Sequence, residues 1–340
     1  MKLKIKLFNF IILVSVLAFN QQNATAQDKT GYRKIKSLPI KSAGGWDYLF
    51  AVPELNRLYV SHGNQVNIIN LKTGDSTGII SNTQGVHGIA VALALNKGYT
   101  SNGKTNTVSV FDLRTNKVIA TIPCGSNPDA IFYDDFSKKI YTCNGKSEDA
   151  TVIDVATDKV VATIALGAKP ETAVSNGKGK IFVNAETTNE VIVIDAMTYK
   201  VVTRYKIKSG QEPTGLDIDR KTNRLFIACG GNKTMVIMDA TNGDNLAKFP
   251  IGGSDGLVFD PALKLAFASN GEGTISVVRE LNADHFKLIQ SIPSEKSART
   301  ITIDLKSHHL FLSAAKTIAN PAGGYPKMVP GTFHVLEIGK

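Results

Sequence analysis

The feature that most restricts this chain is a mark that recurs along it. Asn70, Asp112, Asp154, Asp195 and Asp239 each close a short apolar run, and they stand 42, 42, 41 and 44 residues apart. One whole unit is visible between Asn127 and Gly167. It holds four β-type runs, Ala130–Tyr133, Lys139–Cys143, Ala150–Val155 and Lys159–Leu166. Each is rich in β-branched and aromatic residues and is bounded by Asp, Ser, Asn, Gly or Lys, the composition of short strands joined by tight turns. No helical period of apolar residues competes with that reading. Four strands repeated every ~40–45 residues are the sequence sign of propeller blades.

Seven such units can be aligned, beginning near Trp46, Val86, Pro128, Pro170, Pro213, Ser254 and Ala298. The last ends at Thr332–Ile338, a third strand with no fourth after it. A spare strand, Arg33–Ile40, precedes the first unit. Pairing it onto the C-terminal blade would remove two exposed sheet edges at once. The expected fold is therefore all-β, a seven-bladed propeller of four-stranded antiparallel blades closed by an N-terminal strand. The recurring Asp-x-x-Thr at Asp112, Asp154 and Asp195 has a structural job, since a short polar side chain there bonds turn amides. Arg279 and Glu337 replace it in the last two units, so those turns must close differently. Between strands two and three of unit seven, Ala315–Gly331 is far longer than its equivalents, and its Pro and Gly content argues for a loop or lid. Lying over the channel mouth on the His87 face, it would anchor through Tyr325 and Met328.

The strand sequences carry a family likeness. Second strands read Leu58-Tyr59-Val60-Ser61 and Ile140-Tyr141-Thr142-Cys143-Asn144; third strands read Val152-Ile153-Asp154 and Val191-Ile192-Val193-Ile194-Asp195. Fourth strands include Val118-Ile119-Ala120-Thr121-Ile122-Pro123. In these residues the chain resembles the YVTN-repeat β-propellers, the YncE-like secreted proteins, over essentially its whole mature length. Neither the Trp-Asp and Gly-His pairs of WD40 repeats nor the paired glycines of kelch repeats recur from unit to unit. The resemblance implies the fold; it implies little about activity, because propellers host many functions.

The N-terminus reads as a targeting segment. Lys2, Lys4 and Lys6 precede an apolar run from Leu7 to Phe19, and Ala24-Thr25-Ala26 supplies a cleavage signal. Residues 1–26 are thus expected to be a signal peptide and 27–340 one propeller domain in a secreted or periplasmic protein. The run is short of the roughly 20 residues a membrane span needs, so no transmembrane segment is expected after cleavage. Removing three lysines takes the formal charge from +10 to about +7. The remaining Lys and Arg are scattered, with no block that marks a nucleic-acid tail. Cys124, Cys143 and Cys229 are an odd set without short spacing, which suits free thiols, not a disulfide framework or a zinc knuckle. A monomer is expected.

Candidate chemistry follows from the repeat register. The residue just before each first strand is Asp47, His87, Asp129, Glu171, Thr214, Asp255 and Arg299. Innermost strands face the central channel, so these seven should converge at one mouth. Turn chemistry would favour Gly, Asn or Ser there, whereas six of the seven are ionisable. Loops between strands two and three open on the same face and add His62, Asn102, Asn144, Glu186, Asn232, Asn270 and Lys316. Asp47, His87, Asp129, Glu171, Asp255, Arg299 and His62 are the candidate ligand-binding residues. Three readings share this ring. It is a small-ligand or divalent-metal site of carboxylates and imidazole. Or it is an enzyme with a carboxylate base, His87 as acid–base partner and Arg299 as anion clamp. Or it is a solvated polar channel. No G-x-S-x-G, H-E-x-x-H, C-x-x-C or P-loop assigns a catalytic residue or a metal ligand set. His308-His309 falls on the opposite face and reads as exposed. The leading expectation is a binding or scaffolding propeller that takes a small molecule or protein at its channel mouth, with a divalent cation as the cofactor the ring admits. A metal-dependent hydrolase or isomerase of the lactonase type is an alternative, although its Glu, two Asn and Asp do not map onto this ring. Binding of a nucleic-acid or envelope polyanion by the basic exterior is another.

Overall fold

A computed structural model of the protein describes residues 30–320 and 326–340. The signal segment 1–26 and Tyr325 lie outside the described residues. The described residues form seven four-stranded antiparallel sheets and one short hairpin. Blades one to six run in chain order from Trp46–Val52, Val86–Ala92, Pro128–Asp134, Pro170–Ser175, Pro213–Asp219 and Ser254–Asp260, their innermost strands. Blade seven starts at Ile301–Asp304. Each innermost strand touches those on either side, and that of blade one touches that of blade seven, so the ring is closed.

The alternation of burial explains why sequences of this kind stack. The two middle strands of a blade are buried on both faces, as in Lys139–Asn144 and Asp149–Asp154. One face packs on the preceding blade and the other on the next. Outer strands such as Lys159–Ala165 are mostly exposed and turn in only Ala162 and Ile164. The core is therefore a set of seams between blades. Tyr141, Val152 and Ile164 of blade three pack with Ile181, Val183 and Ile192 of blade four. Each such side chain contributes roughly 1.5–3 kcal/mol on burial.

Closure follows the sequence reading. Arg33–Pro39 pairs antiparallel with His334–Gly339, from Arg33 opposite Gly339 to Pro39 opposite His334. The Ile40 amide donates to Phe333 O at 3.0 Å. Tyr32 locks the start of the strand, its ring 5.1 Å from that of Phe267 and its hydroxyl donating to His308 O at 2.8 Å.

The turn aspartates do what their spacing implies. Asp112 Oδ1 accepts the amides of Arg114 and Thr115, Asp154 those of Ala156 and Thr157, and Asp195 those of Met197 and Thr198. Blade six dispenses with this device because its third and fourth strands run on to Thr274–Asn282 and His285–Pro293, where Asn282 closes the turn by accepting the Asp284 amide. In blade seven the fourth strand arrives from the other end of the chain, and Glu337 pairs instead with His309 and Lys36. His308 bonds Asp260 at 2.7 Å, so the two adjacent histidines have separate partners and are only half exposed. Cys143 and Cys229 are buried thiols and Cys124 is half-buried.

The long insertion departs from expectation in one respect. Its ends pair as a short hairpin, Thr317–Ile318 with Lys327–Met328, despite the Pro and Gly between them. Met328 packs on the cluster that holds Leu38, Ile40 and Phe333.

Candidate binding site at the channel mouth

Six of the seven ring positions share a local distortion that the sequence did not show. In blades one to four the pairing of strands one and two slips between Trp46 and Leu49, Val86 and Ile89, Pro128 and Ile131, and Pro170 and Ala173. Blades five and six slip at Pro213/Gly215 and Ser254/Gly256. Asp47, His87, Asp129, Glu171, Thr214 and Asp255 are thus second residues of their strands and lie within bulges, not ahead of the strands. A bulge bends the strand and re-aims one side chain. Arg299 stands two residues before Ile301.

Hydroxyls from neighbouring blades hold the bulges in place. Ser101 Oγ donates to Asp129 O, Thr214 Oγ1 to Ser254 O, Ser269 Oγ to Arg299 O and Thr300 Oγ1 to Asp47 O. The packing is close enough to demand small residues next in line. A Cβ on Gly88 would lie 2.8 Å from Ile131 Cγ2, and one on Gly215 would lie 2.7 Å from Leu257 N.

The structure brings most of the ring together. Asp47 Oδ2 is 2.6 Å from His87 Nδ1, which is 3.6 Å from Asp129 Oδ1. Lys169 Nζ is 2.5 Å from Glu171 Oε1 and also holds Glu186. Arg299 is paired with Asp255. Burial, joined by the charge of Asp47, raises the Asp129 carboxyl well above its ordinary pKa. Burial and the Asp129 charge do the same to Glu171 against the opposing pull of Lys169. Asp255 is raised by burial despite Arg299. Burial disfavours the His87 imidazolium, but the hydrogen bond to Asp47 and the charges of Asp129 and Asp47 outweigh it, and its pKa rises.

His62 does not join this group. It is fully buried, with Nδ1 2.5 Å from Ser42 Oγ and its ring stacked on Phe333 at 3.9 Å. Burial lowers its pKa, against the opposing pull of the Gly44 backbone carbonyl. The amide tier is also turned inward. Asn102 donates to Ser109 Oγ, Asn144 to Thr151 Oγ1 and Asn270 to Ser276 Oγ, each tying strand two to strand three of its own blade. Asn184 bonds the carbonyls of Thr214 and Gly215. These four amides therefore serve the frame of the blades and not the mouth.

Residue-by-residue reading missed three features. Tyr48 follows Asp47 where the other blades have Gly88, Ala130, Thr172, Gly215, Gly256 and Thr300. It reaches from blade one across to the cluster of Ala130 and Ala173. Burial and the charges of Asp129, Asp47, Glu171 and Asp255 all push its hydroxyl pKa well up. Beneath it, a cavity of about 120 Å³ is lined by Tyr48, Phe50, Phe132 and Thr172, so the channel below the ring is largely apolar. Lys169 is the second miss, the one cation at a register, two residues before the ring, that holds Gly45, Gly85, Asn127, Glu212, Gly253 and Ser297 elsewhere. The odd residue out in an aligned column was the available signal for both. The third is the basic rim. Above the ring opens a cavity of about 570 Å³ lined by Asp47, His87 and Arg299 below and by Lys104, Asn127 and Lys146 at the sides. Thr317 and Pro326 of the insertion border an adjoining cavity of about 460 Å³ with Trp46, Lys296 and Arg299. The insertion thus flanks the mouth on the Arg299 side.

Residues 23–180 match the family described as YNCE-like beta-propeller. No curated protein sequence matches the chain. Among solved structures, hydrazine synthase of Kuenenia stuttgartiensis is similar at TM-score 0.70 and 16% identity, over 80% of this chain and 94% of that one. U3-55K is similar at TM-score 0.77 and 9% identity, over 90% and 98% of the two chains. A chain of the mitotic checkpoint complex gives 0.74 and 13%, over 90% and 96%. At these identities the likeness is one of fold.

Proposed function

With the chain a YNCE-like β-propeller, we propose that it is a secreted or periplasmic binding protein that takes a small polar ligand in the cavity at its channel mouth. The observation that carries this reading is the separation of charge at that cavity: Asp47 below, with Asp129 next to it behind His87, and Lys104 and Lys146 at the sides. A molecule with a cationic group and an anionic end fits both. Its ammonium or guanidinium group would meet the carboxylates, and its carboxylate or phosphate would meet the lysines. The floor favours this over a solvated pore, because Tyr48, Phe50 and Phe132 make the lining of the small cavity beneath the ring largely apolar. A polyanion reading is disfavoured at this face by the same carboxylates. Secretion rests on the charged, apolar and small-residue pattern of residues 1–26. Among the described residues no helix is long and apolar enough to cross a membrane.

Thermal denaturation in the presence of amino acids, small amines and their phosphorylated or carboxylated derivatives tests the reading. Zwitterions should stabilise the protein more than their amides or esters, through mass action on the folded state. Lys104→Ala with Lys146→Ala should weaken the response to the anionic end alone. If no compound shifts the melt, or the shift survives Asp47→Asn with Glu171→Gln, the mouth is not the binding site.

A further inference from the structure

We infer that Asp47, His87 and Asp129 form a binding site for a divalent transition-metal ion whose open coordination positions face the large cavity. The three residues occupy the same bulge position in three successive blades, so the fold brings them together without any local motif. Their ligand atoms all lie within 4.8 Å of one another. Metal–ligand distances of about 2.0–2.2 Å require donors some 3 Å apart, so only small rotations of the two carboxylates separate this arrangement from a coordinating one.

A second observation points the same way. Asp129 Oδ1 is buried and has no hydrogen-bond partner among the described residues. A buried carboxylate oxygen left unsatisfied is costly, and the nearest donor, His87 Nδ1, is turned to Asp47 instead. The other cations at this level have carboxylates of their own, Lys169 with Glu171 and Glu186, Arg299 with Asp255. Asp47 and Asp129 therefore share one imidazole, and a bound cation would supply the missing charge. The imidazole is held by packing, since a Cβ on Gly103 would lie 2.6 Å from His87 Nε2.

The donor set selects the kind of ion. Calcium takes six to eight oxygens, and magnesium keeps most of its water. One imidazole with two carboxylates suits Zn²⁺, Mn²⁺ or their neighbours in the first transition row. Three protein ligands leave at least one position for water or for a ligand's anionic group, the pattern of an open site, not a structural one. The inference rests on the reading of the mouth as a binding site, and in it the ion takes the place given above to a ligand's cationic group; the two can fail separately.

The test uses the full mature chain without a histidine tag, stripped with chelator and titrated with Zn²⁺ and with Mn²⁺. Equilibrium dialysis with elemental analysis reads stoichiometry, and thermal denaturation reads the shift. One ion per chain should bind and raise the melting temperature. His87→Ala and Asp129→Asn should each weaken binding about tenfold or more, while Asp195→Asn, at an outer turn, should leave it unchanged. Because loss of binding in a misfolded variant proves nothing, His87→Asp is included as a variant that keeps a metal ligand and should retain part of the affinity. No uptake of either ion overturns the inference, as does uptake that survives both His87→Ala and Asp129→Asn. Stabilisation by a zwitterion together with no uptake of either ion would keep the binding function and remove the metal.

Discussion

The same residue type behaves in opposite ways at two ends of a blade. At the outer turns, Asp154 and Asp195 accept two backbone amides each and pair with Lys139 and Lys180. The Lys139 and Lys180 contacts and the amides hold both below the usual carboxylate range. At the inner bulges, Asp129, Glu171 and Asp255 are buried beside other carboxylates and are pushed above that range. A carboxylate fully provided with donors is part of the frame. One that is desolvated among other carboxylates, as Asp129 is with one oxygen unpartnered, is poised to take a ligand, and that contrast, not the residue type, separates structure from site.

Both classes depend on a closed ring, and opening it should have the largest effect. Deleting residues through Ile40 exposes the His334–Gly339 edge and unseats Tyr32 and Leu38 from their clusters. The loss should be several kcal/mol, a large share of a typical domain's stability. A truncated protein that melts with the full one would break the frame on which the contrast rests.

Exchange of single aspartates should come next. Asp195→Ala removes three acceptor contacts and the Lys180 pair, and should cost about 1–2 kcal/mol in urea unfolding. Asp129→Asn, measured in chelator at pH 8, should cost nothing or stabilise by up to about 1 kcal/mol, because it removes a crowded charge. Equal losses at the two sites would erase the distinction.

The pH dependence should sharpen it. Asp129 and Glu171 are raised, Asp217 is pushed by burial up to about 6, and Glu280 by burial up to about 7. For each, the folded state binds its proton more tightly than the unfolded chain does. Stability from these groups is present at the unfolded pKa near ~4 and is lost as pH rises through 6 to 7 and beyond. The turn aspartates run the other way: their contribution is present above ~4 and is lost as pH falls below it. The metal-free protein should therefore be most stable in mildly acid solution. Replacing Asp129 and Glu171 with Asn and Gln should flatten the alkaline side and leave the acid side alone. A stability profile already flat from pH 5 to 8 would contradict this.

The fold was legible because it is written seven times. A 42-residue interval, an alternating outer strand and a twice-buried middle pair each recur, so errors in one unit are corrected by the next. Ring closure was legible from the missing fourth strand of blade seven and the spare Arg33–Pro39. The site was legible only as a column of positions. Nothing in Trp46-Asp47-Tyr48 or Pro128-Asp129-Ala130 signals a bulge, since a bulge is a property of paired strands. His62 sits in the column of strand-two ends yet turns away from the channel, because Phe333 of the irregular blade seven offers it a face to stack on. Asn102, Asn144 and Asn270 turn away because Ser109, Thr151 and Ser276 on the next strand bond them.

The contrast between the two kinds of aspartate can be measured directly. Protein labelled with ¹³C at the aspartate carboxyl would report each titration by NMR in chelator-treated solution, with Asn variants assigning the signals. Asp129 should titrate well above the ordinary range, toward neutrality, and Asp195 well below it. If both titrate as ordinary exposed carboxylates, the channel mouth holds no unsatisfied charge and no site of the kind described.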